Sequence, residues 1–263
     1  MSARALRRDL SLAGWQVLYE QRAFWRNRAG SFFVFLMPII FLVLFAAIFQ
    51  NQTIAIGHGR SITYVTFFVP GILAYGVIAT TFVNMAIGTS VLRDEGVLKR
   101  VAGTPLPGWV FVAGRIGSTL CVTAVMTILE LLIGRYAYNA HVRIETLPGL
   151  VVTLALGSAA FTTLGVGIVR YISNAESAPA VANAAILPLT FVSGIWFHFK
   201  LPAALSDIAK VFPIRALAHG LQYAFNPFTA GAGFERTDLL TLAAWLVVGV
   251  IAMARFLRAP YRA

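Results

Sequence analysis

Six long apolar stretches, separated by short polar segments, dominate the hydrophobic pattern of this chain. A helix needs about 20 consecutive apolar residues to cross the roughly 30 Å hydrocarbon core of a membrane. Stretches of that size are Ser31–Phe49, Ser61–Leu92, the stretch between Arg115 and Arg135, Thr146–Val169, Ser177–Phe199 and Leu239–Leu257. The pattern therefore predicts an all-α, polytopic membrane protein with six transmembrane helices.

Composition agrees with this pattern and excludes two other classes of protein. Hydrophobic residues make up 59% of the 263 residues and charged residues 12%, against about 45–50% and about 25% in soluble domains. The apolar residues are gathered into blocks instead of being spread at core spacing. This excludes both a soluble core and a disordered chain.

The first 30 residues carry a separate pattern. Apolar residues recur at helical spacing within Ala5–Arg28, with aromatic residues suited to a membrane interface and Arg on the other face. The stripe contains Leu6, Leu10, Ala13 and Val17, and the aromatic residues are Trp15, Phe24 and Trp25. Residues 1–30 are predicted to form an amphipathic helix on the cytoplasmic membrane surface, ahead of a transmembrane domain over residues 31–263. A simple basic tail is the alternative.

The distribution of basic residues predicts the orientation in the membrane. The net charge is +11, and 14 of the 21 Lys and Arg residues fall on the side that holds both termini. Cytoplasmic loops carry the excess of Lys and Arg, so both termini are predicted to be cytoplasmic. Because the basic residues flank apolar stretches, no binding of nucleic acid is expected.

The segment Leu201–Phe225 departs from the pattern of the spans. It is fairly apolar but is interrupted by Asp207, Lys210 and Arg215, and such charges make a lipid-exposed span costly. It is also too apolar for a solvated loop. One or two short helices that dip into the outer leaflet are predicted here, within a segment of about residues 201–236.

No motif for nucleotide binding or catalysis is present in the sequence. A phosphate-binding loop has the form G-x-x-x-x-G-K-[ST], and the nearest string, Gly108–Arg115, has the wrong spacing. The four histidines, His58, His141, His198 and His219, lack the i, i+4 spacing of a helical metal site. We expect no catalytic residue, metal or cofactor in this chain.

Glu130 is the one acidic residue deep inside a predicted span. A charged side chain there costs roughly 2.5–3.5 kcal/mol on insertion scales. One interpretation places it on a polar pathway or beside a basic partner such as Arg135. The other makes it a protonated or interfacially hydrated residue without a role in transport.

Three segments together resemble the type-2 ABC exporter (ABC-2) permeases, which include daunorubicin-resistance permeases and polysaccharide exporters. They are Tyr64–Leu73 with its Pro70-Gly71 pair, Arg93–Pro107, and Pro188–Phe197 with its Ser193-Gly194 pair, followed by Leu201-Pro202 and Phe212-Pro213. Their order and spacing carry the resemblance over nearly the whole chain. Family members often have Pro where this chain has His198, which puts in doubt only how the fifth span ends.

The resemblance implies a coupling helix in the loop after the second span, docked in a groove of a separate ATPase. Here that helix is expected over Arg93–Ala102, in a loop of about residues 93–107, with Pro105 and Pro107 stopping it. Arg93 and Arg100 would offer charge to an acidic groove, and Glu95 and Lys99 would pair at i, i+4. An ordinary basic loop is the alternative.

The resemblance also implies partners and a role. An ABC ATPase subunit would bind ATP and Mg, and a second copy or a related permease would complete a dimer in the lipid of a bacterial plasma membrane. The expected function is efflux of a hydrophobic or amphipathic drug or lipid, as in antibiotic resistance. A polysaccharide or glycolipid cargo is the nearest alternative.

Two readings from other classes stay open at this point. An ion-coupled secondary transporter would use intramembrane acids and inverted repeats, of which the sequence offers Glu130 and no repeat. An integral-membrane enzyme would need polar residues clustered within spans, and Asn84, Asn183 and Glu130 fall on different predicted helices.

Overall fold

Helices make up nearly all of the computed structural model, which describes residues 3–57, 59–140, 142–196 and 202–258. In chain order they are α1 (Ala3–Arg26), α2 (Arg28–Phe49), α3 (Tyr64–Ile78), α4 (Asn84–Asp94), α5 (Val97–Ala102), α6 (Gly108–Tyr138), α7 (Leu147–Ile168), α8 (Ala178–Val192), α9 (Ala203–Val211), α10 (Pro213–Phe225) and α11 (Arg236–Arg258). A π-helical segment, Ala79–Val83, joins α3 to α4. The prediction of an all-α, polytopic membrane protein is confirmed.

Five helical segments in the described ranges are long and apolar enough to cross a membrane. They are Arg28–Phe49, Tyr64–Asp94, Gly108–Tyr138, Ile144–Tyr171 and Arg236–Leu257. The predicted fifth span, Ser177–Phe199, contains the apolar helix α8, which has only 15 residues. At 1.5 Å per residue α8 is about 22 Å long, so the count of six spans remains a prediction.

The contacts of the α8 region nevertheless run from one end of the molecule to the other. Just before α8, the backbone N–H of Ala175 donates to Asp94 Oδ2 at 2.6 Å. Just after α8, the carbonyl oxygen of Trp196 accepts from the Tyr64 hydroxyl at 2.8 Å. Tyr64 and Asp94 are the two ends of the second span. Residues 175–196 thus follow the whole length of that span, although only their middle is α-helical.

A small β-hairpin, which the hydrophobic pattern did not predict, connects α2 to α3. Strands β1 (Thr53–Gly57) and β2 (Arg60–Thr63) pair in antiparallel fashion, with Ile54 opposite Ile62. Alternating β-branched residues favour strands here. We call the end of the molecule that carries this hairpin the hairpin side, and the opposite end, which carries α5, the α5 side.

The second span forms the centre of the fold. Ser61 belongs to β2, and the helix begins at Tyr64 and continues to Asp94, two residues beyond the predicted end. Nearly all of α3 is buried, against α2, α6 and α10. In the π segment, the Thr80 and Thr81 hydroxyls donate to the carbonyl oxygens of Gly76 and Val77, four residues earlier, so both polar side chains are satisfied within the helix itself.

Helix α6 is longer than the predicted third span. It begins at Gly108 and ends at Tyr138, and the capping residue Asn139 has a left-handed backbone (φ 54°) that lets Ala140 N–H bond to Gly134 O. Its 31 residues measure about 46 Å, well over the thickness of the hydrocarbon core. Arg115, which was expected to flank the span, therefore lies inside the helix and is only 2% exposed.

Helix α1 packs along the α5-side half of α6. It ends at Arg26, two residues before the predicted end, because Asn27 caps α2 by accepting from Gly30 N–H at 3.1 Å. Val17 lies against Gly117, whereas Leu10, predicted on the same stripe, is 56% exposed. The face of α1 that packs on α6 thus includes Val17 of the predicted stripe but not Leu10. Its position on a membrane surface remains a prediction.

The segment after α8 contains two short helices, as the interrupted pattern suggested. Pro213 starts α10 directly after α9, because proline fits the first helical turn but not a helix interior. Helix α10 is largely buried against α3, α7 and α11, and α9 is mostly exposed. Their depth in the outer leaflet remains a prediction.

Candidate functional site

Two of the three sequence segments that suggested a family meet on the hairpin side. A Cβ added to Gly71 would lie 2.5 Å from the carbonyl oxygen of Ile195, so only glycine allows this approach. The Tyr64 hydroxyl bonds the Trp196 carbonyl, and Trp196 Nε1 donates to Thr190 Oγ1 at 3.1 Å. Segments that are distant in sequence thus form one packed unit.

Aromatic side chains surround this contact. The Trp196 ring lies 5.1 Å from both Phe41 and Tyr75, and Phe45 stacks on Phe68 at 5.1 Å. Aromatic pairs at such distances add stability beyond the area that they bury. The hairpin end of the second span is therefore fixed mainly by apolar packing.

The remaining segment, Arg93–Pro107, lies at the other end of the second span. There the Arg93 side chain is hydrogen-bonded to the turn between α7 and α8. Its Nη1 donates to the carbonyl oxygens of Val169 (3.0 Å) and Ile172 (2.7 Å), and its Nη2 to that of Ser173 (3.2 Å). The neighbouring Asp94 accepts from Ala175 N–H. Arg93 was predicted to offer charge to a partner, but its guanidinium is already occupied within this chain.

The predicted coupling helix Arg93–Ala102 is two helices instead of one. Helix α4 ends at Asp94, Gly96 adopts a left-handed backbone with φ 70°, and α5 runs from Val97 to Ala102. Because glycine carries no Cβ, it enters this conformation without strain, and the chain turns here. Glu95 and Lys99 therefore lie on opposite sides of the turn. The predicted i, i+4 pair needs both residues on one helix, and they are not on one.

Helix α5 is nevertheless an exposed basic element on a fixed base. Leu98 is 2% exposed and anchors it, while Glu95, Lys99 and Arg100 all face outward. The predicted coupling residues thus separate into one internal brace, Arg93, and three exposed residues. Only the exposed three are free to meet another protein.

Glu130 is completely buried in α6, on the side that faces α3. A Cβ on Gly76 would lie 2.9 Å from Glu130 Oε1, so the glycine makes room for the carboxyl group. Neither carboxyl oxygen has a hydrogen-bond partner in the described part of the chain. Arg135, considered as its partner, is exposed on another face of the helix. Among the described residues, Glu130 therefore has no basic partner, and its side chain is enclosed by protein.

Polar side chains continue from Glu130 along the buried face of α6. We call this set the α6 polar row: Arg115, Thr119, Thr123, Thr127 and Glu130. Thr119 bonds Thr162 of α7 at 2.7 Å, and Thr123 bonds Thr80 of the π segment at 3.3 Å. Thr127 Oγ1 is buried and has no hydrogen-bond partner among the residues that the structure describes.

Sequence reasoning missed the α6 polar row and the partner of Arg115. Arg115 Nε lies 3.3 Å from Glu20 Oε1 of α1, and Gln21 of α1 donates to Ser118 Oγ at 3.0 Å. The spacing of four from Arg115 to Thr127 was visible in the sequence and indicates one helical face. The contribution of α1 had no comparable signal, because it depends on packing between distant segments.

A second polar pair lies on the hairpin side, where α10 meets the first turn of α11. His219 Nδ1 is 2.7 Å from Asp238 Oδ2, which links α10 to α11. This hydrogen bond raises the pKa of the His219 imidazole above its usual value, against the opposing effect of burial. His58, His141 and His198 lie outside the described residues.

This chain is similar to known membrane proteins over most of its length. A family model described as ABC-2 type transporter matches residues 15–226, which include all three segments described above. The inner membrane transport permease YadH of Escherichia coli strain K12 is 25% identical over 219 residues, or 82% of each chain. Proteins of the same name from Escherichia coli O157:H7 and Shigella flexneri match to the same extent.

Proposed function

Because this chain belongs to the ABC-2 type transporter family, we propose that it exports a hydrophobic or amphipathic drug or lipid with energy from a separate ATPase. At the level of the family, the chain is a multi-pass membrane transport permease, and such permeases work with an ABC ATPase. The cargo class, the direction of transport and the particular ATPase belong to the proposal. So do cytoplasmic termini and assembly as a dimer.

The geometry of α5 is the observation that best supports coupling to an ATPase. Lys99 and Arg100 are exposed on a short helix whose Leu98 is buried. Immediately before it, Arg93 and Asp94 are bonded to the turn that leads into α8. A force on α5 would therefore reach two spans at once, through bonds of fixed direction.

Such an arrangement suits a transporter that alternates between two states. Closure of an ATPase dimer would shift α5, and with it the ends of the second span and of α8. The ligand that drives the change needs only to bind one state better than the other. No group of this chain has to react with ATP.

The cargo class rests on the surfaces that the spans present. A groove of about 320 Å³ between α6 and α7 is lined mainly by apolar residues, with Thr123, Thr127 and Ser158 among them. Another of about 270 Å³ among α7, α8, α10 and α11 is also lined mainly by apolar residues. Apolar or amphipathic molecules are the ligands that such surfaces accommodate. A lipid-linked glycan would also present an apolar portion, and it belongs in any panel of test cargos.

Co-expression with a candidate ATPase, followed by co-purification and measurement of cargo-stimulated ATP hydrolysis, tests the proposal. We expect the double variant Lys99→Glu/Arg100→Glu to weaken docking by about tenfold, because it places like charges in an acidic groove. Lys210→Glu is the matched control, since Lys210 is exposed on the hairpin side, where it pairs with Asp207 of the same helix. Equal docking by all three chains would refute α5 as the coupling element.

Glu130 favours one competing function, an ion-coupled transporter, because its buried carboxyl oxygens have no protein partner among the described residues. Transport by the lone chain along a proton gradient, lost in Glu130→Gln, would support that function. Transport that requires the ATPase and persists in Glu130→Gln would support the exporter.

A further inference from the structure

A cavity of about 260 Å³ lies on the hairpin side, where the β-hairpin, the start of α3, the residues just after α8 and helix α10 come together. Its polar lining comes mainly from α10 and the residue that follows it, and consists of Arg215, His219, Gln222, Tyr223 and Asn226. Neither the proposed coupling through α5 nor the two apolar grooves uses this cavity. It combines hydrogen-bonding side chains of one helix with an apolar wall from other elements.

The five polar residues lie on one face of α10 and its C-terminal cap. Residues three and four apart on a helix are neighbours, and positions 215, 219, 222 and 226 follow one another at steps of four, three and four. Nine other residues of α10 are buried, whereas each of these five is at least partly exposed. A molecule in the cavity can therefore reach them.

Arg215 supplies a positive charge to this face. Its side chain has no hydrogen-bond or ion-pair partner among the described residues. Asp238 and Glu235 lie close enough to His219 to affect it, but neither lines the cavity, and no other acidic residue of the described ranges does. A guanidinium has five N–H donors, so an anion in the cavity would gain charge-assisted hydrogen bonds.

His219 lies one helical turn after Arg215 and has a ring nitrogen to spare. Its Nδ1 is 2.7 Å from Asp238 Oδ2, which leaves Nε2 for another partner on a side chain that is 53% exposed. The bond to Asp238 raises the pKa of His219 and so favours the protonated ring, in which Nε2 is also a donor. Because the two residues are neighbours on the helix surface, one oxyanion can contact both.

The remaining polar residues hold the cavity in shape and add neutral hydrogen-bonding groups. Gln222 Nε2 donates to the carbonyl oxygen of Gly194 at 2.9 Å, which joins α10 to the residues just after α8. Asn226 Oδ1 accepts from Phe228 N–H at 3.0 Å, so its Nδ2 is the amide atom left for a ligand. The lining thus offers two groups that carry positive charge and an amide donor, a set that favours an anion.

The other wall of the cavity is apolar, and the space is small. Ile56, Ile62 and Phe67 form this wall, from the two strands and α3. The volume lies just below the range of about 300–1,000 Å³ that is usual for small-molecule pockets. It suits a small organic molecule and not the two acyl chains of a phospholipid.

We propose that this cavity binds a small organic acid, whose carboxylate or phosphate group lies between Arg215 and His219 and whose apolar part lies against Ile62 and Phe67. The planar guanidinium matches the geometry of both anionic groups. The site goes beyond the proposed transport function, because binding at it requires neither ATP nor the ATPase.

Titration calorimetry of the purified chain in phosphatidylcholine nanodiscs tests this site, with empty nanodiscs as the background. The probes are benzoate and its neutral analogue benzamide, which differ in charge but little in shape. We expect benzoate to bind saturably and benzamide to bind about 10-fold to 100-fold more weakly, because hydrogen bonds between charged groups are the stronger ones. Equal binding of the two probes would overturn the proposal.

Removal of the positive charge gives a second measurement. Arg215→Gln is expected to lower the affinity for benzoate at least about tenfold. Arg236→Gln is the matched control, because it removes the same charge at the exposed first residue of α11, outside the cavity lining. It should leave the affinity unchanged, and an equal loss in both variants would reduce the effect to general surface charge and overturn the proposal.

A filling variant tests the cavity itself. Ile56→Trp enlarges a side chain of the apolar wall and is expected to weaken benzoate binding at least about tenfold. Ala55→Trp is its control, because Ala55 is exposed and successive side chains of a strand point to opposite faces. Full binding to Ile56→Trp would overturn the proposal. So would loss of benzoate binding in nanodiscs that contain phosphatidylglycerol, since it would assign the site to a lipid headgroup.

Discussion

The two ends of the second span are held by different kinds of interaction. At the hairpin end, Tyr64 and Gly71 pack into an aromatic cluster around Trp196, with a single hydrogen bond to its carbonyl oxygen. At the α5 end, Arg93 and Asp94 hold the α7–α8 turn through four hydrogen bonds to backbone atoms. Both ends hold the same neighbouring segment, residues 169–196.

This difference indicates which end of the second span is suited to transmit motion. Apolar packing is close and non-directional, so it resists changes of volume at the hairpin end. The hydrogen bonds of the Arg93 guanidinium are directional and partly exposed to solvent. They would therefore keep a fixed geometry between two helices that move together. Under the proposed function, the α5 end would therefore act as a joint between spans, and the hairpin end as their fixed base.

The largest expected effect comes from Arg93→Ala, which removes four hydrogen bonds, one of them to Asp94, and leaves three carbonyl oxygens of the α7–α8 turn without their donor. We expect a loss of about 3 kcal/mol or more in stability, since each bond from a charged donor contributes about 1.5–3 kcal/mol. Thermal unfolding of the purified chain in detergent measures it. Arg100→Ala is the control and should unfold at an unchanged temperature. An equal loss of stability in both variants would show that Arg93 is not an internal brace and that it does not differ from the exposed Arg100.

The next effect concerns the hairpin end. In Gly71→Ala the new methyl group would meet the Ile195 carbonyl at 2.5 Å, and a forced shift of packed backbone costs about 1–3 kcal/mol. Gly88→Ala lies in the same span with open space at its Cβ, so it should be neutral or stabilising by up to about 1 kcal/mol. The same detergent unfolding assay compares them. A neutral Gly71→Ala would show that this end is not closely packed.

The smallest effect is a dependence of stability on pH at the link between α10 and α11. Because the hydrogen bond to Asp238 raises the pKa of His219, protonation of His219 stabilises the folded state. This contribution is complete at pH values below about 6.5, the usual pKa of a histidine. This contribution is lost as the pH rises through the raised folded pKa. Thermal unfolding between about pH 5 and about pH 9 should show it in the unmodified chain and not in Asp238→Asn. Parallel pH profiles for the two chains would exclude a role for this pair.

The spans could be predicted from the sequence because hydrophobicity is a property of each stretch by itself. Ser31–Phe49 and the helix Arg28–Phe49 agree within three residues for this reason. Arg115 shows the limit of the rule. A charged residue normally marks the end of a span, but Arg115 lies inside the helix and pairs with Glu20 of α1. That contact joins segments far apart in the sequence.

The sequence predicted where the candidate site lies in the chain, but it did not predict what each residue of the site does. The loop after the second span was identified from its residues, yet Arg93 turned inward and Gly96 divided the expected helix. Both outcomes depend on where the α7–α8 turn lies in space. Glu130 was recognised as unusual from its position in an apolar run, whereas the space that Gly76 leaves for it could be found only in the structure.

The π segment between α3 and α4 has a consequence for how chains of this kind can differ in length. A π turn holds one residue more than the α-helical ladder accepts. Deleting a single residue within Ala79–Val83 would restore a regular helix and leave Tyr64 and Arg93 facing the same neighbours. A deletion elsewhere in this span would rotate one end by about 100° relative to the other. Gaps in aligned homologues should therefore gather at these five positions.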